Sequence, residues 1–207
     1  MILLRVIIVA VLALPVVGFG QTTQPATQPS TQPADAAVDR STPAGECQYF
    51  DKHIADIGID GGMAFYHCIN AAQRRYARSE LEWYVALNKL VRVIGEKFGA
   101  DDAREVRHSL GDVDDYSNTK VDVEGDAAAM QHPDAEPYPL IRVDGRWKFS
   151  MPDWFEMKGT DPLQGVRMYM ESTADKLDTV RERLTQGRLT TLDAVKEALK
   201  EVQPGQE

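Results

Sequence analysis

Tyr138-Pro139-Leu140-Ile141-Arg142-Val143-Asp144-Gly145-Arg146-Trp147-Lys148-Phe149-Ser150-Met151 is the stretch whose reading decides the fold. Asp144-Gly145 suits a two-residue turn that needs positive φ, and both flanks are rich in β-branched and aromatic residues, so the stretch reads as a β-hairpin. With Asp144 and Gly145 in the loop, Val143 faces Arg146, Arg142 faces Trp147 and Leu140 faces Phe149. Residues opposite each other share a sheet face. Tyr138, Leu140, Trp147, Phe149 and Met151 therefore make one apolar face, with Arg142 lying over Trp147 near the tip.

Working outward, residues 116–151 read as four strands, with a second tight turn at Glu124-Gly125. In that first hairpin Val121 and Val123 share a face with Ala128 and Met130. Alanine is a poor strand former but leaves room for a helix to come close, which suits a sheet with helices on one side. Upstream, Cys47, Phe50, Ile54 and Ile57 recur every three or four residues as a short amphipathic helix, broken by Gly58, Gly61 and Gly62. A second helix is expected from about Met63 through Tyr76. Ser79 with Glu82 three residues later has the capping-box pattern, either opening a third helix or continuing the second past a bend. Its stripe is Leu81, Tyr84, Val85, Val91, Ile94 and Phe98, ending at Gly99, after which Asp101 caps a short segment bearing Ala103, Val106 and Leu110.

Downstream, Pro162 takes a first helical position, and Leu163, Val166, Met170, Ala174, Leu177, Val180 and Leu184 repeat at helical spacing until Gly187. This helix is expected to lie on the apolar face of the sheet. Thr190 opens a last helix carrying Leu192, Val195, Leu199 and Val202. Helices, an antiparallel meander and further helices in that order argue an α+β fold, with one domain over residues 44–203.

The chain's start is of a different kind. Met1 to Arg5 gives a short basic start, Val6 to Val17 is almost purely apolar, and Gly18-Phe19-Gly20 offers small residues to an export peptidase. Residues 1–20 thus read as a secretory signal peptide, with an uncleaved anchor as the alternative. The expected location is periplasmic or extracellular. Thr-Gln-Pro recurs at residues 23, 27 and 31, and residues 21–43 read as an extended, disordered tether reaching about 70 Å at ~3.1 Å per residue. The 207-residue chain carries a net charge of −9, and removal of Arg5 with the signal leaves 22 basic against 32 acidic side chains. Such a balance repels nucleic acid and anionic lipid. Arg74, Arg75 and Arg78 cluster, but Glu80 and Glu82 follow at once, so they read as a solvated helix face. No membrane insertion is expected after signal cleavage.

Glu96-Lys97-Phe98-Gly99, Val123-Glu124-Gly125-Asp126-Ala127 and Leu140-Ile141-Arg142-Val143-Asp144-Gly145-Arg146-Trp147-Lys148 resemble segments of small exported bacterial proteins without assigned activity. Those proteins belong to the nuclear-transport-factor-two-like superfamily, the cystatin-like cone fold shared with ketosteroid isomerases. The resemblance covers about residues 44–151 and implies a pocket between helices and sheet. Tyr66, His67, Tyr76, Arg142 and Trp147 would line it. An isomerase-like site there would need a carboxylate base and an acidic donor such as tyrosine, and nothing in the spacing selects a pair. The two C-terminal helices depart from the superfamily and would cover the open face.

Cys47 and Cys68 are the only cysteines, and export makes a bridge between them the expectation, worth about 3 kcal/mol of loop-closure entropy. Two buried free thiols are the alternative. His53, His67, His108 and His132 show no spacing that a helical zinc site would use. Asp112 to Val123 starts like a calcium loop but has Ser117 at the sixth position and Val123 at the twelfth, so the bidentate ligand is missing. No nucleophile elbow or phosphate loop is present. Hence no catalytic, cofactor or metal residue is assigned. The expected role is a non-catalytic binding or interaction module, for an unknown protein or a small apolar ligand. The alternatives are a small-molecule isomerase or hydrolase using the cone pocket, and a surface-tethered structural protein if the signal stays uncleaved.

Overall fold

The computed structural model describes residues 38–112, 119–131, 137–151 and 163–200. The signal, most of the tether, Pro162, His132 and most of the acidic turn after Asp112 lie outside them. The described residues build an α+β fold: five α-helices and a five-stranded, mostly antiparallel sheet. They run α1 (Pro43–Gly62), a 3₁₀ turn (Met63–Phe65), β1 (Tyr66–His67), α2 (Ala71–Phe98) and α3 (Ala100–Ser109). Then come β2 (Lys120–Glu124), β3 (Ala127–Gln131), β4 (Tyr138–Val143), β5 (Arg146–Ser150), α4 (Gln164–Thr185) and α5 (Leu192–Lys200).

The sheet order is β1-β5-β4-β3-β2, with β1 parallel to β5 and the other pairs antiparallel. Leu140 pairs with Phe149, Arg142 with Trp147 and Val143 with Arg146, the register the alternation implies. Asp144 (φ 53°) and Gly145 (φ 78°) supply the two positive dihedrals of the turn. In the first hairpin Val121 pairs with Met130 and Val123 with Ala128. Its two loop residues are Gly125 and Asp126, one place later than the Glu124-Gly125 reading, because Glu124 is already paired with Ala127.

Thr42 caps α1 through its side chain, which accepts from the Gly45 amide, and Pro43 follows at the first helical position. Of the helix expected over residues 63–76 only 71–76 is α-helical, and it runs on through Ser79 as one helix, the continuing alternative. Residues 63–65 make the 3₁₀ turn, and Tyr66 and His67 pair with Phe149 and Ser150 as an edge strand. A local apolar run cannot announce that distant partner. The long helix begins instead at Asn70, whose side chain accepts from the Gln73 amide while Gln73 accepts from the Ile69 amide. Ser79 is therefore interior to α2, and its hydroxyl bonds Arg75 O and Glu171. At Gly62 an added Cβ would come 2.5 Å from Leu81 Cδ2 and 2.8 Å from Ile54 Cδ1. Glycine is what lets the end of α1 reach α2.

Between Ser79 and Leu90, α2 is buried on almost every side, as a helix wrapped by neighbours must be. One side meets α1 and the sheet, and others meet α3 and α4. This corrects the expected position of the C-terminal helix. Met170, Leu177, Val180 and Leu184 of α4 are buried, but their main partner is α2 and not the sheet. Over β3 to β5 the sheet's apolar face is already covered: Cys47, at the start of α1, joins Ala128, Met130, Leu140 and Trp147 in a small cluster of its own, while Val123 on the edge strand stays 55% exposed. Lys97 Nζ donates to Leu184 O at the end of α4, and Lys196 of α5 pairs with Glu105 of α3.

The expected Cys47–Cys68 bridge is absent, and both thiols are free. Cys47 points at the sheet with its Sγ 3.6 Å from Met130 Sδ. Cys68, past the end of β1, packs against the larger helical core. The two cysteines serve different apolar clusters. Even number and export alone carry no information about such directions. Among the described residues no helix is long and apolar enough to cross a membrane.

Candidate functional site

Immediately before α1, Asp39 bends the chain: its carboxylate accepts from the Ser41 amide, and its carbonyl accepts from Thr42. The turn lays residues 39–42 against α1 and the β4–β5 hairpin, although this stretch falls in the range read as tether. Trp147 Nε1 donates to Ser41 O at 3.0 Å and holds it there.

Arg40 is thereby delivered into a cage. Its Nε and Nη2 donate to the two carboxylate oxygens of Glu46 at 2.8 and 2.6 Å. The guanidinium carbon stands 3.8 Å from the Tyr49 ring centre and 5.5 Å from that of Phe65. Glu46 and Tyr49, three residues apart, rise from one side of α1. Phe65 comes from the 3₁₀ turn, which the β1–β5 pairing pins beside the hairpin. Glu46 is only 4% exposed, whereas 31% of the Arg40 side chain is accessible. A buried carboxylate with a cation reaching out towards solvent is a strong charge-assisted pairing. The Glu46 hydrogen bonds hold the Arg40 guanidinium above its ordinary pKa.

Beside the cage lies a recess of about 190 Å³ framed by Arg40, Glu46, Tyr49, Phe65, Arg146 and Trp147. Ile57, Gly61 and Ala64 complete its wall. Its walls are aromatic with a few placed charges, and its volume is smaller than the ~300–1,000 Å³ of a drug-sized pocket, room for little more than a side chain.

A second aromatic group sits deeper, between α2 and the sheet. The Tyr84 and Tyr138 hydroxyls are 3.1 Å apart. Tyr66 packs against Phe149 and Phe50 at ring separations of 5.2 and 6.4 Å. Burial pushes the Tyr66 and Tyr84 hydroxyls well above the ordinary tyrosine range, with the Glu80 carboxylate adding to the rise at Tyr66. Both are thus hydrogen-bond donors that resist ionisation. From Tyr84 the polar contacts continue outward: Asn88 Nδ2 donates to Tyr84 O, Arg107 donates to Asn88, and Arg107 Nη1 meets Asp112 at 2.9 Å. Burial, then the charges of Asp51 and Glu46, likewise push the Cys47 thiol up, which removes it as a nucleophile at neutral pH.

The five residues read as pocket-lining are not brought to one place. Trp147 frames the recess. Arg142 is exposed, with its guanidinium 6.0 Å from the Trp147 ring centre, as the register implies. Tyr66 belongs to the inner group, and the half-buried Tyr76 lies near enough to add to the rise of its pKa. His67 is half-buried at the sheet's edge. Arg40, Glu46, Tyr49, Phe65 and Arg146 escaped the sequence reading. The one available signal was the Glu46–Tyr49 spacing next to the Cys47, Phe50 and Ile54 stripe. Among the described residues no cluster of His, Cys, Asp and Glu could hold a metal ion. No family model, curated protein or solved structure matches this chain.

Proposed function

We propose that this chain is an exported, non-catalytic binding module of cystatin-like cone type, and that its ligand enters the recess between α1 and the β4–β5 hairpin. The observation that carries the reading is the Arg40–Glu46–Tyr49 cage beside that recess, an exposed-edged cation held by a buried carboxylate on an aromatic face. Its carboxylate is buried while an edge of its cation stays open to solvent, so the pair can be reached from outside. The inner tyrosines support a second reading, a small-molecule isomerase using the Tyr84–Tyr138 hydroxyl pair. It ranks lower because the rings of Phe50, Tyr66 and Phe149 fill the space beside that pair.

Export is supported by the basic start and apolar run of residues 1–20. Mass spectrometry of the native protein should give a mature end at or near Gln21, and an intact Met1 refutes cleavage. The binding reading is tested by NMR titration with a fragment set spanning apolar, cationic and anionic aromatics. Shifts clustered at Tyr49, Phe65 and Trp147 are expected; shifts gathered at Tyr66, Tyr84 and Tyr138 would transfer the reading to the isomerase.

A further inference from the structure

We infer that Glu46, Tyr49 and Phe65 form a guanidinium-recognition site, that Arg40 is its resident occupant in cis, and that the external ligand is an arginine side chain of a peptide. The inference rests on the recess being a binding site and names its ligand class. Three features of the cage are specific for a guanidinium. The Glu46 carboxylate engages two different nitrogens of Arg40, a fork that an ammonium cannot present. The Tyr49 ring lies at the short distance at which a flat cation stacks on an aromatic face. Glu46 itself is almost fully buried, so an empty cage would leave a desolvated charge.

The occupant can be reached from solvent, with 31% of the Arg40 side chain accessible. Arg40 lies only six residues from Glu46, and the short segment carrying it is tied to the hairpin by the Trp147–Ser41 bond. Its exposed edge gives a competing guanidinium a place to start. The chain's net charge of −9 attracts cationic partners. Arg146, exposed and also lining the recess, disfavours a purely cationic ligand. It suits one that carries an acceptor beside its guanidinium, which a peptide backbone does. With Arg40 in place the site is self-occupied, and an external arginine competes against a high local concentration of the internal one.

The experiment compares wild type with Arg40→Ala for binding of N-acetyl-arginine amide, read by NMR shifts at Tyr49 and the Trp147 indole N–H. Removing the resident side chain should tighten binding about tenfold or more, because the competent state no longer has to be uncovered. N-acetyl-lysine amide should bind R40A far more weakly, and the double variant R40A/E46Q should lose the arginine compound. Should R40A fail to fold, Arg40→Lys keeps the charge without the fork and should still bind the arginine probe more tightly than wild type. Equal binding by wild type and the single variants, or undiminished binding by R40A/E46Q, overturns the assignment. A short peptide with a central arginine binding more tightly than the capped residue supports the peptide partner, and equal binding overturns that part. Fragments that shift Tyr49 and Trp147 without preference for the guanidinium would sink this inference while leaving the binding reading intact. No response from any probe would sink both.

Discussion

Two groups of aromatic and charged residues flank the same sheet, and they differ chiefly in their access to water. The inner group links Tyr84 and Tyr138 through Asn88 to the Arg107–Asp112 pair, whose side chains are 8% and 5% exposed. The outer group links Arg40, Glu46, Tyr49 and Trp147, and its cation keeps a third of its surface open. The chemistry is nearly the same. Inside, the ion pair and the hydroxyls are closed off from water. Outside, the cation keeps an edge that solvent reaches. Burial, more than residue type, separates the two groups.

The contrast can be broken by substitution. The largest effect is expected at Trp147, 3% exposed and part of both the sheet cluster and the recess. Trp147→Ala should cost roughly 3–5 kcal/mol in urea unfolding, and a loss below about 1 kcal/mol would mean that the indole is not a core side chain. Asp112→Ala should follow at about 3 kcal/mol, because it removes a carboxylate 2.9 Å from a buried arginine. Arg40→Ala should cost less, about 2 kcal/mol: it leaves the buried Glu46 carboxylate without its arginine, but beside a recess that water can enter. If R40A proves as costly as D112A, the outer group is scaffold too and the comparison collapses.

The smallest effect is expected at Glu82, on α2 beside α4. Burial first, then the Glu171 charge, raises its pKa above the ordinary value of 4.5. An acid whose pKa rises on folding is penalised once ionised. Its cost is thus absent below pH 4.5, sets in as pH climbs from there through the raised folded value, and persists at neutrality. Glu82→Gln should raise the melting temperature slightly at pH 7 and leave it unchanged near pH ~3. A gain of equal size at both would show that the benefit does not come from charge.

What could be read from the chain follows the range of the interactions involved. Asp144-Gly145 and the flanking alternation specify a hairpin, because a two-residue turn fixes register by itself. The same holds for the end of α2 at Gly99, where φ is 117°, and for the stripe of α4. Ser79 shows the limit of local signals. A capping box is legible, yet Asn70 starts the helix, because the pairing of Tyr66 and His67 with β5 sets where the strand ends. The cysteines show it again: their number is in the sequence, their directions are not.

The sequence by itself determined the α+β class, the register of the β4–β5 hairpin and the placing of Trp147 opposite Arg142, all consequences of pleat, turn and helical period acting over a few residues. Only the tertiary structure decided that α4 lies on α2, since two apolar surfaces were on offer and α1 had already taken the sheet. It also decided that Arg40, Glu46, Phe65 and Trp147, spread over more than a hundred positions, meet in one place. No spacing rule reaches that far. Their meeting is fixed by which faces the core leaves free once its apolar area is buried.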